Sequence, residues 1–318
     1  MRVAWFAEIK RGPSVVPTKG ASDDPSREYP RGCPLGRGDH RPVLRDRLFQ
    51  EGSLNPNGQL YESLKRLSDP EVITLALFQQ LRGVESCRAF LREVARFFSH
   101  LFPGVVGLVP SSFHRRIRKL RRFLEPLRRT VVAELVGEPE TLLIDSTLLS
   151  VMHPREVSQS AGFEGAAWVR WGSFSVYGVK LHLLCASNRV PICYELTPAN
   201  VADLSLTEEL CAEAKLGEEV ARKLLGDLAY RSAELEDELA ELGILLLTER
   251  SRRRPGVRQQ IEIALASLKG VFGLGETLAT TLVGLATRIA AKMTAYTYAF
   301  LINRRLGRPQ GKIKELWA

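Results

Sequence analysis

The chain has 318 residues, with 45 Lys and Arg against 36 Asp and Glu, so its formal net charge is +9. The 45% hydrophobic and 25% charged residues are ordinary values for a globular protein, which excludes a wholly disordered chain or a coiled-coil rod. The longest uncharged apolar run near the C-terminus, Thr277 to Thr287, is well short of the ~20 residues that span a bilayer. Val3 to Ala7 is too short for a secretion signal, and the five cysteines form no CxxC pair. We therefore expect a cytoplasmic protein with no membrane partner, disulfide framework or zinc site.

The first part of the chain lacks the pattern of a folded domain. Residues 1 to about 60 are dense in Pro and Gly, mix charges of both signs and show no sustained apolar period. We predict a poorly ordered extension over residues 1–60.

Residues 61–136 predict a small helical domain. Ser68 and Glu71 form a capping-box pattern ahead of VITLALFQQL, and Ser86 can cap a second helix through CRAFLREVARFF. Ser111 or Ser112 can cap a third helix, FHRRIRKLRRFLEPLRR, in which apolar residues recur every three or four positions.

The third helix is basic on its remaining face. Arg115, Arg118, Lys119 and Arg122 lie outside the apolar stripe and are candidate ligands for DNA phosphates, or for base edges in a major groove. The alternative is a solvated charged helix face with no partner.

Residues 137–318 predict an α/β domain. The buried strand TLLIDSTLL comes first, and SVYGVKLHLLCAS and RVPICYELT follow as a hairpin. RKLLGDLAY and GILLLTE are further strands, alternating with helices over Leu204 to Leu216 and Ser232 to Leu242. Two more helices, about Val257 to Phe272 and Thr277 to Arg305, complete a mixed sheet with flanking helices.

Two aspartates follow buried apolar runs. Asp145 directly follows the apolar run Leu142 to Ile144, and Asp227 directly follows the run Leu224 to Gly226. A carboxylate there must be hydrogen-bonded, paired or metal-bound, because desolvation of an isolated charge is costly. Taken singly, each is also explained as a loop-capping aspartate. Two of them in one sheet favour a site, because α/β folds bind ligands at strand ends.

A third acid, Glu262, lies on the predicted helix from Val257. At about 100° per residue, Arg258 lies roughly −40° and Lys269 roughly −20° from Glu262, so the three share one stripe. The apolar residues Ile261, Leu265, Leu268 and Phe272 form a second stripe about 100° away, which can pack on the sheet. The alternative is an ordinary i,i+4 surface ion pair between Arg258 and Glu262.

Asp145, Asp227 and Glu262 are suitable ligands for Mg²⁺, which prefers oxygen donors and leaves positions open for phosphate and water. Two such ions, with Mn²⁺ as a substitute, can activate a nucleophile and stabilise the leaving oxygen of a phosphodiester. Arg258 and Lys269 are then candidates to bind phosphate oxygens.

The same residues resemble a known family. From about Leu67 to Arg305 the chain resembles bacterial insertion-sequence transposases of the DDE type, which have a ribonuclease-H-like fold, and it is most similar to the insertion-sequence nine-eighty-two group. LSDPEVITLAL resembles the group's N-terminal helical segment, and LLIDS, YGVKLHLLC, ELTPANVAD and LLGDLAYRS resemble its successive catalytic-domain segments. The spacing Arg258-x₃-Glu262-x₆-Lys269 resembles its signature around the third acid, although Pro255 stands where a Tyr is common.

The resemblance implies Asp145, Asp227 and Glu262 as the metal-binding catalytic triad of a bacterial, nucleoid-associated transposase. The resemblance also implies that the protein binds two kinds of DNA, the ends of the element and the target. It implies that a homodimer holds the paired ends. Two other functions remain open: a ribonuclease-H-like nuclease without strand transfer, and a catalytically inactive DNA-binding remnant.

Several further residues have competing interpretations. Lys180 and His182 alternate with apolar residues on the second strand; Lys180 is a candidate phosphate ligand or a solvated lysine, and His182 is expected to be structural. Asp203 is interpreted as a loop or cap residue. Trp168 and Trp171, in a predicted Gly-rich loop, are expected to pack in the protein rather than stack on a base.

Overall fold

A computed structural model of the protein describes residues 65–157, 162–214, 222–248 and 255–316. The predicted extension over residues 1–60 lies outside the described residues. Four cysteines, Cys87, Cys185, Cys193 and Cys211, are buried free thiols.

The first two helices begin where their caps were predicted. Helix α1 spans Asp69–Leu81, and the Ser68 side chain accepts from the Glu71 backbone N–H while the Glu71 carboxylate accepts from the Ser68 N–H, completing the capping box. Helix α2 spans Cys87–Phe97, capped by Ser86. Their apolar faces share one cluster of buried side chains with the helix that follows.

The predicted single third helix is wrong, because the structure has two. Helix α3 spans Pro110–Leu120, a 3₁₀ turn follows, and helix α4 spans Leu124–Val136. Pro126 explains the break, since it has no N–H to donate to the carbonyl of Arg122 and its ring crowds that carbonyl. The predicted Ser caps are also wrong: Val109 is the N-cap, without a side-chain bond, and Pro110 begins the helix with its fixed φ.

Six strands form one mixed sheet in the described ranges: β1 Thr141–Ser150, β2 Ala167–Trp171, β3 Phe174–Ala186, β4 Pro191–Pro198, β5 Arg222–Gly226 and β6 Ile244–Thr248. Strand β3 pairs antiparallel with β1, β2 and β4, whereas β1, β5 and β6 run parallel to one another. The spatial order β4-β3-β1-β5-β6 confirms the predicted ribonuclease-H-like mixed sheet.

Strand β2 was not predicted. The segment containing Trp168 was interpreted as a loop, but it pairs with the first half of β3 through a tight turn at Gly172, where φ is +59°. The glycines on both sides of this short segment hide its strand pattern. The Trp168 side chain is 46% exposed and its ring centroid lies 5.2 Å from that of Tyr177.

The remaining helices flank the sheet. Helix α5 is a single turn, Pro154–Val157, and helix α6 covers Thr207–Glu213 after a 3₁₀ turn at Asp203–Leu206. Helix α7 spans Ala233–Glu241, and helix α8 spans Pro255–Gly270. The apolar stripe predicted on α8 is buried throughout.

The last helix, α9, spans Leu282–Arg305 and begins later than the predicted Thr277. Leu278 has φ +51°, which is incompatible with a right-handed helix, and the Thr281 hydroxyl caps the helix by accepting from the Gly284 N–H at 3.2 Å. Over the described ranges, no helix combines the length and apolar composition needed to cross a bilayer.

Helix α9 joins the two parts of the described chain. It packs on α1 and α4 as well as on the sheet. Its fully buried Lys292 forms an ion pair with Glu85, between α1 and α2, and donates to the Phe272 carbonyl just after α8. Helix α9 therefore packs against both the preceding helices and the sheet.

Candidate active site

The sheet register places Asp145 and Asp227 on adjacent strands. Leu143 of β1 pairs with Leu225 of β5 in parallel, and each aspartate lies two residues further along its chain. Strand β1 continues past Asp145, since it remains paired with β3 there, whereas β5 ends at Gly226. The two carboxylates therefore lie at the same end of the β1–β5 pair, as the sequence predicts.

The Asp145 carboxyl group is electrostatically unusual. Burial is the main cause that raises its pKa to about 6, and the carboxylates of Asp227 and Glu262 raise it further. The Ser146 backbone N–H, which donates to Asp145 Oδ1 at 2.8 Å, and the Arg258 guanidinium act in the opposite direction. All three predicted acids thus lie within electrostatic reach of one another.

Helix α8 presents its polar stripe to this carboxylate. Arg258 pairs with Glu262 at 3.6 Å, so the surface ion pair considered from the sequence is present. Arg258, however, is only 18% exposed, whereas Glu262 is 46% exposed. The positive charge of Arg258 also lowers the pKa of Asp145. Burial lowers the pKa of Lys269, and the nearby Asp145 counteracts that change. The predicted stripe therefore faces the strand acids.

Asp227 caps the short 3₁₀ turn Leu228–Tyr230. Its Oδ1 accepts from the Ala229 N–H at 2.8 Å. The capping interpretation is thus correct for one oxygen. It is compatible with a site, because the turn holds the carboxyl group at the strand end beside Asp145.

The chemistry of these donors fits a divalent cation. The three side chains supply oxygen ligands, and a cation would relieve the mutual repulsion that raises the Asp145 pKa. In the part of the chain that the structure describes, however, no three His, Cys, Asp or Glu side chains are close enough to hold one metal ion. The fit is therefore to the donors and their charges, not to a preformed coordination shell.

Lys180 lies apart from these acids, on the other face of the sheet. Its ammonium donates to Asp203 Oδ1 at 2.8 Å and to the Val201 carbonyl at 2.6 Å, and the side chain is 12% exposed. It is an internally paired lysine, so a phosphate would have to compete with Asp203. The neighbouring His182 is fully buried beside Thr197, and burial lowers its pKa to about 4, which makes it a neutral structural residue as expected.

The basic block of the sequence divides into internal and surface residues. Arg116 pairs with Asp69, and Arg128 and Arg129 pair with Glu125, so these three support the fold. The four candidate DNA ligands differ from them in position. Arg115, Arg118 and Lys119 are exposed, and Arg122 is partly exposed with its guanidinium 4.9 Å from the ring centroid of Phe123.

Sequence reasoning missed Ser146, Asp203 and Tyr230 as neighbours of the acids. Ser146 donates to Asp203 Oδ1 at 2.6 Å, and the Tyr230 hydroxyl is buried close to both aspartates. Two of these residues lie close in sequence to the candidate acids: Ser146 follows Asp145 in LLIDS, and Tyr230 lies three residues after Asp227 in GDLAY. That adjacency was the available signal.

Comparison with known proteins gives one matching family and two distantly similar solved structures. The family described as "Transposase DDE domain" matches residues 137–298, just over half of the chain. Two solved structures are similar at 13% sequence identity: a piggyBac transposase synaptic complex with hairpin DNA (86% of this chain, 79% of that chain, TM-score 0.38) and a Mos1 transposase paired-end complex with left transposon end (86% and 81%, TM-score 0.27). No curated protein matches the chain.

The raised Asp145 pKa predicts a pH-dependent stability change in Asp145→Asn. At pH 7.5 the wild-type carboxylate is ionised in both states but is disfavoured in the folded one, so the amide should raise the free energy of unfolding by about 1–3 kcal/mol. Below pH 6 the folded carboxyl group binds a proton before the unfolded one does. The advantage of the variant should then shrink and disappear near pH 4.

Urea denaturation at pH 7.5 and pH 5 measures this difference. Asp237→Asn, on the exposed side of α7, is the matched control for the loss of one carboxylate. An Asp145→Asn variant that is no more stable than wild type at pH 7.5 would contradict the electrostatic description of the site.

Proposed function

Because the chain belongs to the transposase DDE domain family, we propose that it binds the ends of an insertion sequence, cleaves phosphodiesters there and joins 3′-OH ends to target DNA. One observation supports this proposal above the others. Asp145, in the middle of the sheet, has its pKa raised to about 6 by burial and by the carboxylates of Asp227 and Glu262. Groups with strongly shifted pKa values are concentrated at catalytic sites, because a residue that only supports the fold gains nothing from an unfavourable charge.

In this proposal Asp145, Asp227 and Glu262 are the catalytic acids and hold two divalent ions, Mg²⁺ or Mn²⁺. Bound divalent ions supply charge stabilisation for the phosphodiester transition state and lower the pKa of the attacking group. The contribution of the chain itself is positional. Strand β1 and the turn after β5 fix two carboxylates, and α8 carries the third.

Arg258 and Lys269 are proposed to orient the DNA strand. Both lie on the α8 stripe that faces Asp145, so a phosphate group brought to the acids would lie within their electrostatic reach. The Arg258 guanidinium can bind a phosphate with two parallel hydrogen bonds. Lys180, which is paired with Asp203, is proposed only as a phosphate contact that would have to exchange its partner.

The helical segment, residues 61–136, is proposed as the DNA-binding domain beside a catalytic domain over residues 137–318. Arg115, Arg118, Lys119 and Arg122 would contact the DNA of the element ends, because they are basic side chains that lie together at the surface of α3 and of the 3₁₀ turn after it. A homodimer on paired ends would provide one active site for each end.

Two other functions predict different products. A ribonuclease-H-like nuclease would cut end DNA but would not join the 3′-OH to a target. A DNA-binding remnant would bind end DNA equally in Mg²⁺ and EDTA, and would cut no strand with any divalent ion.

The proposal predicts that Asp145→Asn, Asp227→Asn and Glu262→Gln each abolish cleavage of end DNA but leave binding intact. Each change removes one anionic ligand without touching the basic surface, so the loss should appear in the rate and not in the affinity. A gel assay with labelled end DNA in Mg²⁺ measures cleavage, and the same gel in Ca²⁺ or EDTA measures binding. Glu241→Gln on α7 is a control for loss of one carboxylate and should cleave like wild type. A wild-type rate in any of the three variants would remove that residue from the site.

The basic residues of α3 and of the 3₁₀ turn after it predict a change in salt dependence. Replacing Arg115, Arg118, Lys119 and Arg122 with Ala should reduce the slope of log affinity against log salt by up to about four units, at ~0.9 per phosphate contact. The variant should still cleave when the protein is in excess, because the acids are unchanged. Fluorescence anisotropy over a salt titration gives the slope, and circular dichroism shows whether the variant is folded. An unchanged slope in a folded variant would make α3 a structural helix with a solvated face.

A further inference from the structure

A second group of basic side chains lies at the end of α9. The last turn of this helix and the residues after it supply five exposed cations: Arg304, Arg305, Arg308, Lys312 and Lys314. Arg189, in the turn between β3 and β4, lies against the same loop, since its guanidinium occupies the space that a Cβ atom at Gly311 would need. These six residues are called the second basic surface below. Residues 303–318 contain a single acid, Glu315.

The loop that carries these cations is fixed to the helix end. Gly307, with φ +66°, ends the helix, and the Arg308 N–H donates back to the Asn303 carbonyl at 2.8 Å. The Asn303 side chain is 1% exposed, and its amide donates to two carbonyls of the loop at 3.0 and 3.3 Å. Ile313 then packs into the main hydrophobic core. The backbone therefore presents the cations in a fixed arrangement, which reduces the entropy lost when a partner binds.

Part of this charge has an explanation within the fold. Cations in the last turn of a helix stabilise it through the helix dipole. Arg304 donates to the Glu134 carbonyl at 2.6 Å and Arg305 pairs with the Glu134 carboxylate at 3.7 Å, so both also hold α9 on α4. This explanation does not extend to the three cations that follow the helix end, because the effect of the dipole is confined to the last turn.

The second basic surface is separate from the basic residues of α3. Burial and the charge of Arg288 lower the pKa of His114, which places α3 beside the first part of α9. Arg304 lies sixteen residues beyond Arg288, or about 24 Å along the helix axis. The two groups of cations would therefore bind different phosphates.

The surface is also remote from the candidate acids. Arg189 belongs to the turn between β3 and β4, which lies beside the start of β1 because Leu142 pairs with Ala186. Asp227 follows the other end of β5, which runs parallel to β1. The second basic surface thus lies at the end of the sheet opposite to Asp227, and it cannot bind the phosphate that would be cut.

We propose that the second basic surface binds the phosphate backbone of duplex DNA outside the segment that is cut. Duplex DNA carries one negative charge per ~1.7 Å of its axis, so a duplex that extends from α3 to the end of α9 would present phosphates to both groups of cations. Turns and a helix end form the surface, and they suit contacts to phosphates, which carry no sequence information. This inference deepens the proposed function, because it adds a second contact to the DNA that the protein would bind.

The experiment is fluorescence anisotropy of the full-length protein with a labelled duplex of random sequence and with labelled end DNA, each over a salt titration. Replacing Arg308, Lys312 and Lys314 with Ala leaves the Glu134 contacts of α9 in place. The slope of log affinity against log salt should fall by up to about three units on both duplexes, at ~0.9 per phosphate contact. Since the contact reads no bases, the ratio of the two affinities should remain that of wild type.

The matched control changes the same three positions without changing their charge. Arg308→Lys combined with Lys312→Arg and Lys314→Arg should keep the wild-type slope. Arg308→Ala alone should lower the slope by about one unit, and it provides the same test if the triple alanine variant does not fold. Adding the four alanine changes of α3 and its following turn should add their own reduction, because distant sites act independently.

The outcomes separate the second basic surface from the proposed function. A wild-type slope in the folded alanine variants, or equal slopes in the alanine and charge-conserving triple variants, overturns the surface as a DNA contact. Loss of self-association in sedimentation velocity, with DNA affinity unchanged, also overturns it and assigns the surface to an acidic face of a second copy. Wild-type protein that binds the random duplex but cleaves no end DNA with any divalent ion overturns the proposed function and leaves the surface standing.

Discussion

The parallel pairing of β1 with β5 is the constraint on which the candidate site depends. It places Asp145 and Asp227 at the same end of two adjacent strands, in a part of the sheet where neighbouring side chains are fully buried. Burial and repulsion make this arrangement unfavourable for the charged form of Asp145, and its pKa rises accordingly. The Ser146 N–H, Arg258 and Lys269 offset only part of that cost. A protein retains such a cost where function requires it.

The rest of the architecture holds α8 against these strands. The apolar stripe of α8 packs on the sheet, and the end of the helix is fixed by Lys292 of α9, which donates to the Phe272 carbonyl. Lys292 also pairs with Glu85 between α1 and α2. Because a buried charge without its partner is strongly destabilising, this contact ties the helical segment to the helix that carries Glu262. The proposed DNA-binding domain and the helix that carries Glu262 are therefore joined by buried contacts through Lys292.

The features that sequence could predict are local ones. The apolar runs before Asp145 and Asp227 identified two strands and their acids, and the 3.6-residue period placed Arg258, Glu262 and Lys269 on one stripe. The capping box at Ser68 and Glu71 was equally local. The break at Pro126 was predictable in principle, but the apolar stripe continues across it and hid the effect. Strand β2 gave no clear pattern because it is short and flanked by glycines.

The contacts that could not be predicted join distant parts of the chain. Ser146 and Asp203 are 57 residues apart in sequence, and Lys180 meets Asp203 from another strand. Nothing in the local pattern distinguishes a lysine that faces solvent from one that is paired inside the fold. Only the strand order decides that Lys180 and Ser146 share a face while Asp145 faces α8.

A joining assay tests the central claim most directly. The substrate is pre-cleaved DNA that carries a 3′-OH and the sequence flanking the gene, incubated with a target plasmid and the full-length protein. If Asp145, Asp227 and Glu262 act as one metal-dependent site, joined products should form in Mg²⁺, disappear in EDTA and be absent with Asp145→Asn. Joined products in EDTA, or none with Mg²⁺ or Mn²⁺ from protein that binds the end DNA, would contradict the account.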